Sequence, residues 1–126
     1  GFIVNRLQFA MVVEALNLLE QGIATMEDID KVWTRHLGIR YTLMGPMEAL
    51  DNLGLDVALD CQTYLYEKLQ ASKFQPPKIL KQKVEAGELG VKSGKGFHNY
   101  EGENIGDLIG ARDKRFVRLL RELRII

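Results

Sequence analysis

One long helical segment, Asn5 to Gln21, constrains the fold more than any other feature of this sequence. Its middle is apolar almost all the way round, and only Glu14, Asn17 and Gln21 form a polar stripe at helical spacing. A helix of this composition needs cover on most of its surface. We therefore expect it to lie at the centre of a domain or to be shared with a second subunit. Gly22 follows as the expected C-terminal cap.

The rest of the chain is also patterned as helices. A second helix is predicted to begin at Thr25, with Asp28 at capping-box spacing, and to end at Leu37-Gly38. Gly45-Pro46 opens a short third helix, because proline is tolerated in a first turn. Three more helices are predicted, from about Leu55 to Gln70, from Pro76-Pro77 to Gly87, and from about Asp113 to Arg124. No strand pattern appears, so the sequence predicts an all-α fold, a bundle of five or six helices.

Charge and cysteine usage exclude several classes of function. The 17 basic and 17 acidic residues balance, so no bulk field favours nucleic acid or a membrane surface. We expect no signal peptide and no apolar run long enough to span a membrane. The single cysteine, Cys61, cannot form an internal disulfide, and no zinc-ligand spacing occurs. These features favour a reducing compartment, and we expect the cytoplasm.

Three segments resemble the 3-hydroxyacyl-CoA dehydrogenase family. Residues 1–22, GFIVNRLQFAMVVEALNLLEQG, are similar to the signature at the start of the family's C-terminal domain. Residues 44–56, MGPMEALDNLGLD, and residues 87–100, GELGVKSGKGFHNY, are similar to two later motifs, in the right order and at the right separation. The resemblance implies a helical substrate-binding and dimerisation domain over residues 1–100, of the type shared with 6-phosphogluconate dehydrogenases.

The resemblance also implies what the whole enzyme does. Family members oxidise 3-hydroxyacyl-CoA to 3-ketoacyl-CoA in fatty-acid β-oxidation and pass a hydride to NAD. An N-terminal Rossmann domain holds the NAD and a His–Glu pair that takes the proton, and the helical domain closes over acyl-CoA and forms a homodimer. No G-x-G-x-x-G after a strand occurs here, and neither His36 nor His98 matches the catalytic histidine. We therefore interpret the chain as a piece of a longer enzyme that by itself binds no NAD and is inactive.

Four residues are candidate site residues by resemblance. Asn5 matches the family's active-site asparagine, and a neutral amide suits a hydroxyl or developing oxyanion because it adds no charge beside a histidine. The alternative for Asn5 is a helix N-cap. Met44, Pro46 and Leu50 match positions that line the family's acyl pocket, where an adaptable methionine suits an aliphatic chain. Simple core packing is the alternative for each of these three.

The loop from Gly90 to Tyr100 invites a phosphate-loop interpretation, which fails on spacing and on Gly96, where a Ser or Thr would be needed. Its glycines are expected to permit a tight turn, with Phe97 and Tyr100 anchoring the loop on the helices. Contacts of Lys92 or Lys95 with a CoA phosphate are the other interpretation.

Residues 101–126 lie beyond the resemblance and are predicted to be a linker and an amphipathic helix leading to a further domain. Enoyl-CoA hydratase is the natural candidate for that domain, in a multifunctional enzyme, because it catalyses the preceding step. Two alternatives stay open for the chain. Gly38-Ile39-Arg40-Tyr41 is more similar to gulonate- or carnitine-type dehydrogenases, in which Arg40 would meet a substrate carboxylate. The second alternative is a non-catalytic helical dimerisation module, in which Asn5 would have no substrate to contact.

Overall fold

The computed structural model describes all 126 residues and contains only helices and connecting loops. A π-helical turn over Trp33–Leu37 links the second and third α-helices, so the seven α-helices make six continuous helical stretches. The predicted all-α fold of five or six helices is confirmed. The helices are α1 (Phe2–Glu20), α2 (Met26–Val32), α3 (Gly38–Leu43), α4 (Pro46–Leu53), α5 (Leu55–Leu69), α6 (Lys78–Glu85) and α7 (Ile105–Glu122).

The chain divides into two compact units, Gly1–Ile39 and Arg40–Ile126. In the first unit, the predicted capping box opens α2. The Thr25 hydroxyl accepts the Asp28 N–H at 3.1 Å, and the Asp28 carboxylate accepts the Thr25 N–H at 3.2 Å. Gly22 follows the end of α1 at a φ of 68°, as a C-terminal cap requires. The predicted division after residue 100, with a further domain downstream, stays a prediction.

The core of the second unit forms where α5 meets α6. Leu55 and Ala58 of α5 and Leu80 of α6 are buried together. Phe97, from the glycine-rich loop, packs against this cluster, which confirms its predicted role as an anchor. Apolar residues of α4 and α6 complete the contact, so a loop without regular structure is held by the same core as the helices around it.

The second predicted helix does not end at Gly38. This glycine has a helical φ of −60°, and the chain continues through α3 to Leu43. Glycine permits a left-handed cap but does not impose one. The helical stretch ends where Gly45 precedes Pro46, because a proline ring disfavours the helical conformation of the residue before it. The prediction of a helix end at Leu37-Gly38 was therefore wrong.

The last helix begins earlier than its predicted start near Asp113. Asn104 caps α7 by accepting the Asp107 N–H on its side-chain oxygen at 3.0 Å. The helix then passes through Gly106 and Gly110, two residues that lower helix propensity but do not break a capped helix. The helix over residues 105–122 is therefore longer than predicted and can pack against the other helices of the second unit.

α1 corrects the expectation that no apolar run in this chain is long enough to span a membrane. By length and composition it qualifies as a membrane-crossing helix, with a mean hydropathy of 1.4 over 18 residues, although core helices of soluble proteins pass the same test. None of its residues is buried within this chain. Phe2 is 75% exposed and Leu7 is 61% exposed, so α1 presents an uncovered apolar surface.

Candidate functional site

A pocket in the second unit brings together the three residues predicted to contact an acyl chain. Met44, Pro46 and Leu50 all line a cavity of about 760 Å³, a size within the usual range of small-molecule sites. Met44 is buried at the end of α3, Pro46 opens α4, and Leu50 lies one turn further along the same face of α4. Their shared position in one pocket is compatible with ligand contact, and Met44 and Leu50 also take part in core packing.

The opposite wall of the pocket comes from α7. Phe116 and Val117 supply apolar surface there, and Arg112 and Asp113 supply polar groups one turn earlier. The lining is apolar overall with a few polar groups, which is typical of pockets for organic ligands. The lining is completed by Arg40, Tyr41, Ala49, Asn52 and Leu53.

A polar network closes one part of this pocket and ties α7 to α4. Arg112 donates from Nη1 to the side-chain oxygen of Asn52 at 3.3 Å. The same guanidinium donates from Nε and Nη2 to one carboxylate oxygen of Asp113, at 3.0 and 2.9 Å. A second link, between Arg115 and Glu48 at 3.8 Å, is an exposed ion pair and contributes little.

Asp51, which follows Leu50 on α4, is buried and holds the glycine-rich loop. Its side chain is 1% exposed and accepts three hydrogen bonds from that loop. The N–H groups of Phe97 and His98 donate to it at 2.8 and 2.9 Å, and the Tyr100 hydroxyl donates at 2.9 Å. A buried carboxylate is costly unless donors surround it, and here both oxygens are used. The predicted anchoring role of Tyr100 is confirmed, with Asp51 as its partner.

Two glycines let the loop approach Asp51 this closely. A Cβ on Gly90 would lie 2.8 Å from the Asp51 Cα, and a Cβ on Gly96 would overlap the Asp51 carboxylate and lie 2.6 Å from the Gly90 Cα. Gly90 also has a φ of 103°, which L side chains rarely adopt. These glycines therefore serve close packing and turn geometry, and not a phosphate cradle.

The groups around the loop keep the charge states that this packing needs. Burial, reinforced by the hydrogen bond to Asp51, raises the pKa of the Tyr100 phenol above its usual value, so the hydroxyl stays a donor. Lys92 contacts the Asp56 carboxylate at 2.6 Å and lowers its pKa. Lys95 lies 3.4 Å from Glu88. Both lysines thus have carboxylate partners already, and a contact with a CoA phosphate stays a prediction.

Asn5 lies inside α1 and not at its cap. Its N–H donates to the Gly1 carbonyl at 3.0 Å, and the helix begins at Phe2 with Gly1 as the cap residue. The helix-cap interpretation of Asn5 was therefore wrong. The side chain is exposed on the first unit, which leaves the amide accessible to a ligand.

Reasoning from sequence missed Asp51 and the wall formed by α7. Asp51 and Asn52 interrupt the apolar and small residues from Ala49 to Leu55, and that interruption was the signal available. For α7, the apolar spacing of Leu108, Ile109 and Phe116 extends the helical face upstream of Asp113 and would have shown its full length.

The sequence model of the family described as 3-hydroxyacyl-CoA dehydrogenase, C-terminal domain, matches residues 1–100. The chain belongs to this family. It is 41% identical over 101 residues to a probable 3-hydroxybutyryl-CoA dehydrogenase of Bacillus subtilis, covering 80% of this chain and 34% of that protein. It therefore spans about a third of the length of the curated relatives it matches.

Two further comparisons extend past residue 100. A 5-formyl-3-hydroxy-2-methylpyridine 4-carboxylate 5-dehydrogenase of Mesorhizobium japonicum is 32% identical over 123 residues, covering 98% of this chain and 40% of that protein. The crystal structure of a 3-hydroxyacyl-CoA dehydrogenase from Archaeoglobus fulgidus is similar with a TM-score of 0.87 and 42% identity, covering 98% of this chain and 42% of that one. Residues beyond the family match thus have counterparts in both relatives.

Proposed function

We propose that the chain is the substrate-binding C-terminal part of an NAD-dependent 3-hydroxyacyl-CoA dehydrogenase. The observation that carries this proposal is the pocket in which Met44, Pro46 and Leu50 converge, in a domain of this family. Such a pocket suits an aliphatic acyl group, whose burial is favourable and needs few polar contacts. The whole enzyme would oxidise 3-hydroxyacyl-CoA to 3-ketoacyl-CoA in fatty-acid β-oxidation, in the cytoplasm.

Asn5 belongs to this proposal as the amide that contacts the reacting oxygen of the substrate. Its donor and acceptor groups can bind the hydroxyl before reaction and the developing negative charge during it. A His–Glu pair in an upstream Rossmann domain would take the proton. NAD, held by that same domain, would accept the hydride.

The residues of this chain do not fit an NAD site. In the glycine-rich loop over residues 90–100, four backbone N–H groups that could face a phosphate are already used within the chain. Phe97 and His98 donate to Asp51, while Gly90 donates to the Lys95 carbonyl and Gly96 to the His98 carbonyl. A pyrophosphate needs such groups pointing outward at a helix N-terminus.

The first experiment is an activity assay of the full-length protein. We expect NAD-dependent oxidation of 3-hydroxybutyryl-CoA by the full-length protein, and neither turnover nor NAD binding by residues 1–126 alone. Spectrophotometry of the reduced cofactor measures the turnover, and calorimetric titration measures NAD binding. A full-length protein that oxidises gulonate or carnitine and leaves the thioester untouched would refute the acyl-CoA proposal.

Arg40 supports a second candidate function. It lines the same pocket, and a relative matched along 98% of the chain bears a carboxylate in the name of its substrate. An arginine at the rim of an apolar pocket suits a carboxylate ligand. The gulonate- or carnitine-type alternative is tested in the same assay, with these alcohols offered as substrates in place of 3-hydroxybutyryl-CoA.

The downstream enoyl-CoA hydratase domain also remains a proposal. Residues 101–126 were predicted to be a linker to that domain, but their helix α7 also lines the pocket, and a linker alone does not require such a position. The length of the whole protein and a hydratase assay with crotonyl-CoA test this point directly. Absence of hydratase activity from the full-length protein would remove the multifunctional assignment.

We also propose a homodimer, because α1 leaves large apolar side chains uncovered. Phe2, Ile3 and Val4 are 75%, 73% and 64% exposed, a patch of the kind that marks an interface. Sedimentation equilibrium at tens of micromolar protein is expected to give a dimer, and Leu7→Asp is expected to weaken it far more than Gln8→Asp on the polar neighbour. A monomer for the unmodified chain would contradict the proposal of a homodimer.

A further inference from the structure

We propose that α7 is a specificity element, whose Phe116 and Val117 bind the distal part of an acyl chain longer than four carbons. This inference rests on the proposed function. It concerns residues beyond the family match at 1–100, so it does not follow from that match. α7 provides four of the twelve residues that line the pocket.

The two helices present matching apolar faces to the pocket. On α4, Pro46, Leu50 and Leu53 recur at spacings of four and three residues, which places them on one side of the helix. Phe116 and Val117 on α7 line the same space. A flexible apolar chain lying between the faces would contact both helices.

The exposed fractions of the lining side chains show that the two apolar faces are not in full contact with each other. Leu53 is 53% exposed and Val117 is 39% exposed, although both line the pocket. Apolar side chains that are fully packed together would be covered. The space of about 760 Å³ is also far larger than a four-carbon acyl group requires. Occupation by a longer chain would remove this apolar surface from water.

The polar link between Arg112 and Asn52 borders the space. Their hydrogen bond, together with the contacts of Arg112 to Asp113, gives the Arg112 guanidinium protein partners without a ligand. A methylene chain therefore gains little at this border and most at Phe116 and Val117. The occupant that fits the part of the pocket beside Phe116 and Val117 is an aliphatic chain of medium length.

The test uses full-length protein carrying Phe116→Ala, with Leu120→Ala as the control. Leu120 lies on α7, is half-buried and does not line the pocket. We expect Phe116→Ala to lower kcat/KM for 3-hydroxyoctanoyl-CoA about tenfold and to leave 3-hydroxybutyryl-CoA within about twofold. Leu120→Ala should leave the ratio of the two values unchanged. An equal fall for both substrates, or no fall for either, would overturn the inference.

A second variant keeps the test decisive if Phe116→Ala does not fold. Val117→Phe narrows the pocket without removing core volume, and we expect it to exclude the eight-carbon substrate while the four-carbon substrate is still used. Calorimetry of residues 1–126 with octanoyl-CoA then separates the proposed role of α7 from the proposed dehydrogenase function. Binding that is lost in Val117→Phe would support the α7 wall even if the full-length protein had no dehydrogenase activity. Activity without any dependence on chain length would refute the α7 wall alone.

Discussion

Replacing Asn5 with alanine in the full-length enzyme is expected to lower kcat by about a hundredfold or more. In the proposed reaction, hydride leaves the carbon while the hydroxyl loses its proton, so negative charge would develop on the oxygen. A positioned amide donor stabilises that charge more in the transition state than in the ground state. Loss of one comparable donor costs roughly 3 kcal/mol in other enzymes. Steady-state kinetics with 3-hydroxybutyryl-CoA measures the change.

The structure sharpens this prediction, because Asn5 does not cap α1. It is exposed within the helix, where alanine has a higher helix propensity than asparagine. Asn5→Ala should therefore leave the urea midpoint unchanged or slightly raised. Gln8→Ala, an exposed polar substitution one turn further along α1, is the control and should keep normal turnover. Normal turnover in Asn5→Ala would show that this amide does not act on the substrate.

Replacing Asp51 with alanine is expected to lower the free energy of unfolding by about 3 to 5 kcal/mol. The change leaves the N–H groups of Phe97 and His98 and the hydroxyl of Tyr100 without their shared acceptor. Hydrogen bonds to charged groups are worth about 1.5–3 kcal/mol each, and donors left unsatisfied add a desolvation cost. An effect of this size is a large part of the total stability of a small domain. Urea unfolding followed by far-UV circular dichroism measures it.

Two further variants divide this effect into its parts. Tyr100→Phe removes one of the three bonds to the carboxylate and should cost about 1.5–3 kcal/mol. Asp60→Ala removes an exposed carboxylate from α5 and should change little. An Asp51→Ala melt that matches the Asp60→Ala melt would mean that the loop is held by Phe97 packing and not by the carboxylate.

The features that could be predicted from the sequence are those with short-range causes. The capping box of Thr25 and Asp28 joins residues three positions apart, and Pro46 acts on its immediate neighbour. The errors at Gly38 and at the start of α7 have one origin. Glycine permits several conformations, and its presence alone does not say which one a helix-forming context selects.

Only the part of the candidate site that lies in residues 44–50 could be predicted from the sequence. Met44, Pro46 and Leu50 came from a resemblance, and the structure places them in one pocket. The other wall lies in residues outside the resembling segments, so no motif pointed to it. Asp51 pairs with groups 46 to 49 positions further along the chain, and nothing in the local spacing reveals a partner that distant.

The two helices that line the pocket, α4 and α7, differ in how tightly they are attached to the rest of the second unit. Leu50 and Asn52 flank Asp51 on α4, so substitutions that shift this helix also disturb the loop that Asp51 holds. α7 is attached through one side-chain hydrogen bond to Asn52 and an exposed ion pair to Glu48. Substitutions at Phe116 and Val117 on α7 should therefore disturb the loop that Asp51 holds less than substitutions on α4 do. Under the proposed role of α7, a change of acyl specificity would need substitutions on this helix only, and the loop held by Asp51 would stay in place.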